Sequence, residues 1–150
     1  MTQDEANGLI QVLKRILETG VCKLPEQGRY AAIGLESVFS SKDKFIIDIN
    51  RAGHINAKKY TLQLRYKKET FLLRLDVGGP PHTNPDLTVI PCPHLHIWRA
   101  GQKRPDAWAF EIPVIFGDTE DKCRTLLDFL RYCNTNNIEQ IEIYEQRKME

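Results

Sequence analysis

No run of apolar residues in this 150-residue chain approaches the roughly 18–20 that a membrane-crossing helix needs. The opening stretch MTQDEANGLIQVLKRILE is acidic before it is apolar and then carries Lys14 and Arg15. That order is wrong for a secretory signal and predicts a cytoplasmic protein. Net charge is also scarce, at +1, so the molecule as a whole has little pull on a polyanion. Its four cysteines, Cys22, Cys92, Cys123 and Cys133, include no CxxC pair; without a secretory context this argues for free thiols over a disulfide framework. Internal repeats, low-complexity tracts and linkers are missing too. One domain over 1–150 is expected, long enough to bury a core without covalent staples.

What the chain does have is alternation. KFIIDINR (44–51), YTLQLRYK (60–67) and TFLLRLDV (70–77) are short period-two segments rich in β-branched and aromatic residues. Their connections, AGHINAKK and KET, are short enough for an antiparallel meander. HLHIWR (94–99) resumes the pattern, and AWAFEI (107–112) pairs back after a turn marked by Gly101 and Pro105. A weaker strand is expected near Arg29–Val38.

Helical periodicity flanks the strands. Thr2–Glu18 combines a Thr2/Glu5 capping box, a stripe of Leu9, Val12, Leu13, Ile16 and Leu17, and Gly20 as a stop. A second helix, capped by Asp118 or Thr119, lines up Cys123, Leu126, Leu127, Leu130 and Cys133 with Phe129 beside them, and ends near NTNN. IEQIEIYE (138–145) fits an edge strand or a short helix equally well. The predicted fold is α+β, with one antiparallel sheet of about five to six strands and the N- and C-terminal helices on one of its faces.

Side chains alternate across a strand, so each strand sorts into two sets. One set is apolar: Phe45, Ile47, Ile49; Tyr60, Leu62, Leu64, Tyr66; Phe71, Leu73, Leu75, Val77; Leu95, Ile97. The other holds Asp48 and Asn50, Gln63 and Arg65, Arg74 and Asp76, then His94, His96 and Trp98. A plain solvent face favours Thr, Lys, Glu and Ser; guanidinium, carboxylate and imidazole groups gathered on neighbouring strands point to chemistry. Each ion pair on such a face, taken alone, also fits a wet surface contributing ~0.2–1 kcal/mol.

Three of the four histidines, His82, His94 and His96, fall within fifteen positions. His94 and His96 share a face with Cβ atoms ~6.5–7 Å apart. That suits two imidazoles on one metal ion, with Cys92 as a third ligand, although Pro91 and Pro93 blur the direction of Cys92 and the HxH pattern alone is weak. Metal-free proton transfer needs less. His82 or His94 with His96 can form an acid–base pair, Arg74 or Arg99 can anchor a phosphate, and Asp76 can orient a histidine. Gln63, Arg65, Asn84 and Arg99 complete the candidate binding residues, and Trp98 can stack a base. The loop GGPPHTNPD, with Gly78 and Gly79 for unusual backbone angles and Pro80, Pro81 and Pro85 for stiffness, presents His82 and Asn84. Local charge agrees with a polyanion: Arg51, Lys58, Lys59, Arg65, Lys67, Lys68 and Arg74 stand against the single acid Glu69 in 51–74.

The segments LLRLDVGGPPHTNPD, PHLHIWRAG, AWAFEIP and LLDFLRYCN resemble an uncharacterised bacterial and prophage family with an LRLD–GPPH–NPDG–HLHIYREG core, over roughly residues 44–134. Leu87 stands where that pattern has glycine, and Trp98 replaces tyrosine. More remotely, the arginine–aspartate strand, the proline- and histidine-bearing loop and the histidine strand are similar to TumE-like toxins of toxin–antitoxin modules. That likeness implies the compact α+β fold of barnase- and RelE-like ribonucleases, carried here by Arg74, Asp76, His82, His94 and His96.

The leading expectation is a metal-independent endoribonuclease, as a toxin or phage-defence factor, needing no cofactor and partnered by RNA and an antitoxin, with no membrane association. The rival is a non-catalytic interaction module that uses the same face for docking. A metal-dependent enzyme ranks third.

Overall fold

The computed structural model describes residues 1–51 and 57–146. Most of the AGHINAKK connection, including the fourth histidine, lies outside them. Among the described residues two α-helices, α1 (Gln3–Gln11) and α2 (Lys122–Tyr132), accompany eleven strands. Seven strands form the main sheet, in the order β1 (Lys14–Ile16), β3 (Tyr30–Ser37), β4 (Ser40–Asn50), β5 (Tyr60–Tyr66), β6 (Thr70–Val77), β9 (His94–Ile97) and β10 (Ala109–Glu111). All the pairings are antiparallel, and β3 to β6 make the expected meander. The sheet is therefore wider than the five to six strands expected. Two small ladders add to it: β2 (Gly20–Lys23) runs parallel to β11 (Ile141–Tyr144), and β7 (His82–Thr83) pairs with β8 (Val89–Ile90). Residues 138–145 combine both readings offered for them, a 3₁₀ turn over Ile138–Gln140 followed by β11.

The apolar set of the strands is the core. Phe45, Ile47, Ile49, Tyr60, Leu62, Leu64, Leu73, Leu75, Val77 and Leu95 are all buried, in one cluster with Ile10 of α1 and Leu126, Phe129 and Leu130 of α2. Phe71 does not belong to it. The register between β5 and β6 shifts beyond Leu64, so that Phe71 faces Arg65 and Leu72 takes the buried position. A bulge moves every side chain beyond it to the other face.

The N-terminal helix is shorter than its periodicity predicts. It starts at Thr2, whose Oγ1 accepts from the Glu5 amide (3.1 Å), but it ends with Val12 as C-cap, and Lys14–Ile16 pairs with β3 instead. Pairing at the sheet edge overrides a modest helical preference. Gly20 opens β2 rather than closing a helix. Lys14 turns inward and is fully buried. Its ammonium donates to the carbonyls of Ile10 (2.7 Å), Val12 (2.9 Å) and Cys133 (2.9 Å), so one side chain satisfies the C-terminal carbonyls of both helices. Phe45 supplies a ring face 4.9 Å away. Helix α2 is capped by Asp121, whose Oδ1 accepts from the Arg124 amide (3.1 Å), and not by Asp118 or Thr119. The four cysteines are free thiols. Among the described residues no helix is long and apolar enough to cross a membrane.

Candidate functional site

Strands β6 and β9 are direct neighbours, with Arg74 opposite His96 and Asp76 opposite His94. The same register places Asp48 opposite Gln63 and Gln63 opposite Arg74. The polar set thus forms a continuous row across the sheet. It floors an open groove of about 910 Å³, walled by the Gly79–Pro85 loop on one side and by Arg104, Asp106 and Ala107 on another.

At one end of this groove the three histidines converge. The His82 ring lies 4.7 Å from that of His96 and 5.9 Å from that of His94, and those two are 5.0 Å apart. His94 and His96 are each only 2% exposed, but polar groups surround them. One oxygen of Asp76, Oδ2, meets His94 Nε2 at 3.3 Å and His96 Nε2 at 3.1 Å. The remaining ring nitrogens face backbone carbonyls: His96 Nδ1 donates to Asp106 (2.8 Å), and His94 Nδ1 lies 3.3 Å from that of Pro91. Arg74 donates from Nε to Asp76 Oδ1 (2.8 Å) and from Nη1 to Asp106 (3.1 Å). His82 Nε2 donates to the Ala107 carbonyl (2.7 Å), which leaves Nδ1 of its neutral ring to accept a proton.

The electrostatics follow from these contacts. Burial opposes the charge on Asp76, yet the Arg74 guanidinium, 2.8 Å away, helps hold the carboxyl low, at about 2. Burial also leads in lowering the His94 imidazole, with Asp76 pulling the other way. Asp106 sits below the usual carboxylate range because Arg74 and Arg104 overcome its desolvation.

The structure brings Arg74, Asp76, His82, His94, His96 and Gln63 together at the groove. Other candidates have different jobs. Arg65 makes two bonds to Asp48, from Nε (2.6 Å) and Nη2 (2.9 Å). Asn84 is buried, and its carboxamide clasps the edge strand, accepting from the Ala109 amide (2.8 Å) and donating to the Ala109 carbonyl (3.0 Å). Trp98 and Arg99 line a separate hollow with Gln3, Asn7 and Phe110, and Arg99 stacks 4.0 Å over Trp108. Neither is placed for a substrate in the groove. Cys92 also faces away: its thiol donates to the backbone carbonyl of Asp76 (3.3 Å) and accepts from the Gly79 amide (3.3 Å). Arg74 is engaged by two carboxylates, whereas Arg104, 79% exposed at its side chain, is held at the rim by Asp106 through Nη2 (3.2 Å).

Sequence reasoning missed Asp106 altogether. It lies in a turn with no periodic pattern, and only its position after Pro105 singles it out. Tyr30, which also lines the groove, carries no signal beyond residue type, whereas Lys59, lining it too, belongs to the basic run of 51–74.

These features define an α+β protein whose antiparallel sheet carries a polar groove with three imidazoles around one carboxylate. The chain belongs to a family of unknown function, DUF6978, which matches residues 1–135. No curated protein and no solved structure matches it.

Proposed function

We propose that the groove is a catalytic site acting on a phosphodiester, with RNA as the substrate class. The observation that carries this reading is the half-buried His82 ring held within 4.7 Å of His96 at the end of the open groove. His82 is the proton acceptor, through Nδ1, because Nε2 is held by a carbonyl. The buried pair His94 and His96 cannot reach a substrate hydroxyl as an acid–base couple does; with Asp76 they organise charge beneath the reacting group. Arg104 and Lys59 anchor phosphate at the rim, and the exposed ring of Tyr30 replaces Trp98 as the surface on which a base stacks. The remote likeness to TumE-like toxins points the same way.

The test is cleavage of end-labelled RNA by the purified chain, with chelator in one arm and divalent ions in the other. His82→Ala should slow cleavage by roughly 10²–10⁴, the usual contribution of a positioned acid or base. RNA left intact by the wild-type protein in both arms refutes the reading.

One observation favours a docking role instead. Leu87, Val89, Phe110, Val114 and Ile115 are exposed apolar residues, and Phe110 belongs to β10, the last strand of the sheet. A partner protein, such as an antitoxin, would cover them. Val89→Lys with Phe110→Glu would then abolish co-purification of that partner without changing the groove.

A further inference from the structure

The contacts of His94 and His96 leave a surplus of acceptors. His96 Nδ1 lies 2.8 Å from a carbonyl oxygen, so the hydrogen is on Nδ1 and a neutral ring presents its Nε2 lone pair to Asp76 Oδ2, itself an acceptor, 3.1 Å away. His94 sits between two acceptors as well, carbonyl and carboxylate each at 3.3 Å, and a neutral ring has one hydrogen for the two. Each ring therefore sets a lone pair against an oxygen acceptor, around one carboxylate, in a site where both rings are 2% exposed. A single divalent ion meets all three acceptors at once.

We infer that Asp76, His94 and His96 form a binding site for one divalent first-row transition ion, zinc foremost, opening onto the groove. The ligating atoms all lie within 4.8 Å of one another. Atoms bound at the ~2.0–2.2 Å typical of imidazole and carboxylate on zinc stand roughly 3.0–3.5 Å apart. The two carboxylate–imidazole separations, 3.1 and 3.3 Å, fall in that window. The outer shell is also in place. Each imidazole is oriented by a carbonyl on its far nitrogen, and Arg74 engages Asp76 Oδ1 while leaving Oδ2 to the ion. Three protein ligands leave further coordination positions for water or substrate, the arrangement of catalytic rather than structural zinc. The sequence pattern offered Cys92 as third ligand; the fold supplies Asp76 instead, from the strand next door.

This site does not depend on the phosphodiester reading, and its test uses no substrate. The full-length chain is stripped with chelator and titrated with Zn²⁺ by calorimetry and with Co²⁺ by visible absorption. One ion per chain should bind, with cobalt bands typical of four or five coordination. His96→Ala and Asp76→Asn should each weaken binding by at least about 100-fold, beyond the loss typical of an outer-shell partner, while Cys92→Ser binds as wild type. Should a ligand variant fold poorly, nitrogen-15 NMR of the wild type decides: zinc must shift the Nε2 resonances of His94 and His96 and leave that of His82. Sub-stoichiometric binding by the wild type, or unchanged affinity in folded His96→Ala, overturns the assignment. Failure of RNA cleavage alone leaves it standing.

Discussion

Replacing Lys14 with methionine sets two large effects of opposite sign against each other. The ammonium is fully buried, and burial lowers its pKa from 10.5 to about 8. That gap corresponds to about 3 kcal/mol by which the folded state disfavours the charge, a cost the variant does not bear. Against this, three carbonyls, those of Ile10, Val12 and Cys133, lose their donor. A buried polar group without a partner costs about 1–3 kcal/mol, so three of them cost roughly 3–9 kcal/mol. Methionine fills much of the same space, and its packing contributes little to the difference. The difference runs from about 0 to 6 kcal/mol, and its midpoint predicts that Lys14→Met is destabilised by about 3 kcal/mol in urea unfolding. For a protein of this size the melting temperature should fall by roughly 6–12 °C.

The pH dependence supplies a second readout. Between pH 8 and 10.5 the folded wild type has released the Lys14 proton while the unfolded chain still holds it, so protonation favours unfolding there and raising the pH adds stability. The variant lacks this gain. Its deficit should therefore widen by up to about 3 kcal/mol across that window and stay constant below pH 7. A variant as stable as the wild type, or more so, would show that the lysine is a tolerated liability and not the shared cap of two helices.

Three further substitutions test the frame of the groove. A Cβ at Gly78, whose φ is +76°, would sit 2.5 Å from the Lys58 carbonyl oxygen; Gly78→Ala should cost more than about 2 kcal/mol in urea unfolding. Asn84→Ala unclasps the amide and carbonyl of Ala109 and should cost about 2–6 kcal/mol, with hydrogen exchange at the Ala109 amide accelerated. Leu87 adopts φ +73° while 80% exposed, so Leu87→Gly should relieve about 1–2 kcal/mol of strain, less the 0.5–1 kcal/mol of glycine's extra entropy. A small rise in melting temperature is expected, and none from Leu87→Ala.

Much of the fold was legible because a half-buried strand writes its register into the chain. Ile47, Leu62, Leu64, Leu73, Leu75 and Leu95 are buried as the alternation requires, and the meander follows from short connections. What failed to show was anything set by contacts distant in sequence. The stripe of Leu9 to Leu17 reads as one helix, yet the stretch from Lys14 to Ile16 is claimed by β3, more than a dozen residues later. A residue's charge gives no hint that three carbonyls wait for it inside. The bulge that moves Phe71 off the core face is likewise a property of the β5–β6 pairing, not of either strand alone. Leu87 is the converse case. The glycine-bearing pattern that the loop resembles already marks the position, and the left-handed backbone there gives the physical reason.

The same division runs through the site. Alternation within β6 and β9 places Arg74, Asp76, His94 and His96 on one face, and side-by-side pairing brings them into contact. Alternation says nothing about turns. Asp106 shares Arg74 with Asp76 and offers its carbonyl to His96, yet it comes from a loop whose path is set only once β10 pairs with β9. Turns also decide which nitrogen of each ring is free. Had Pro91 and Asp106 not presented carbonyls to the Nδ1 atoms, each Nε2 could have carried the hydrogen and bonded Asp76 as an ordinary neutral imidazole. Spacing of histidines in a strand therefore nominates a site, but the carbonyls behind them determine whether it transfers protons or holds a cation, and here both far sides are occupied by acceptors.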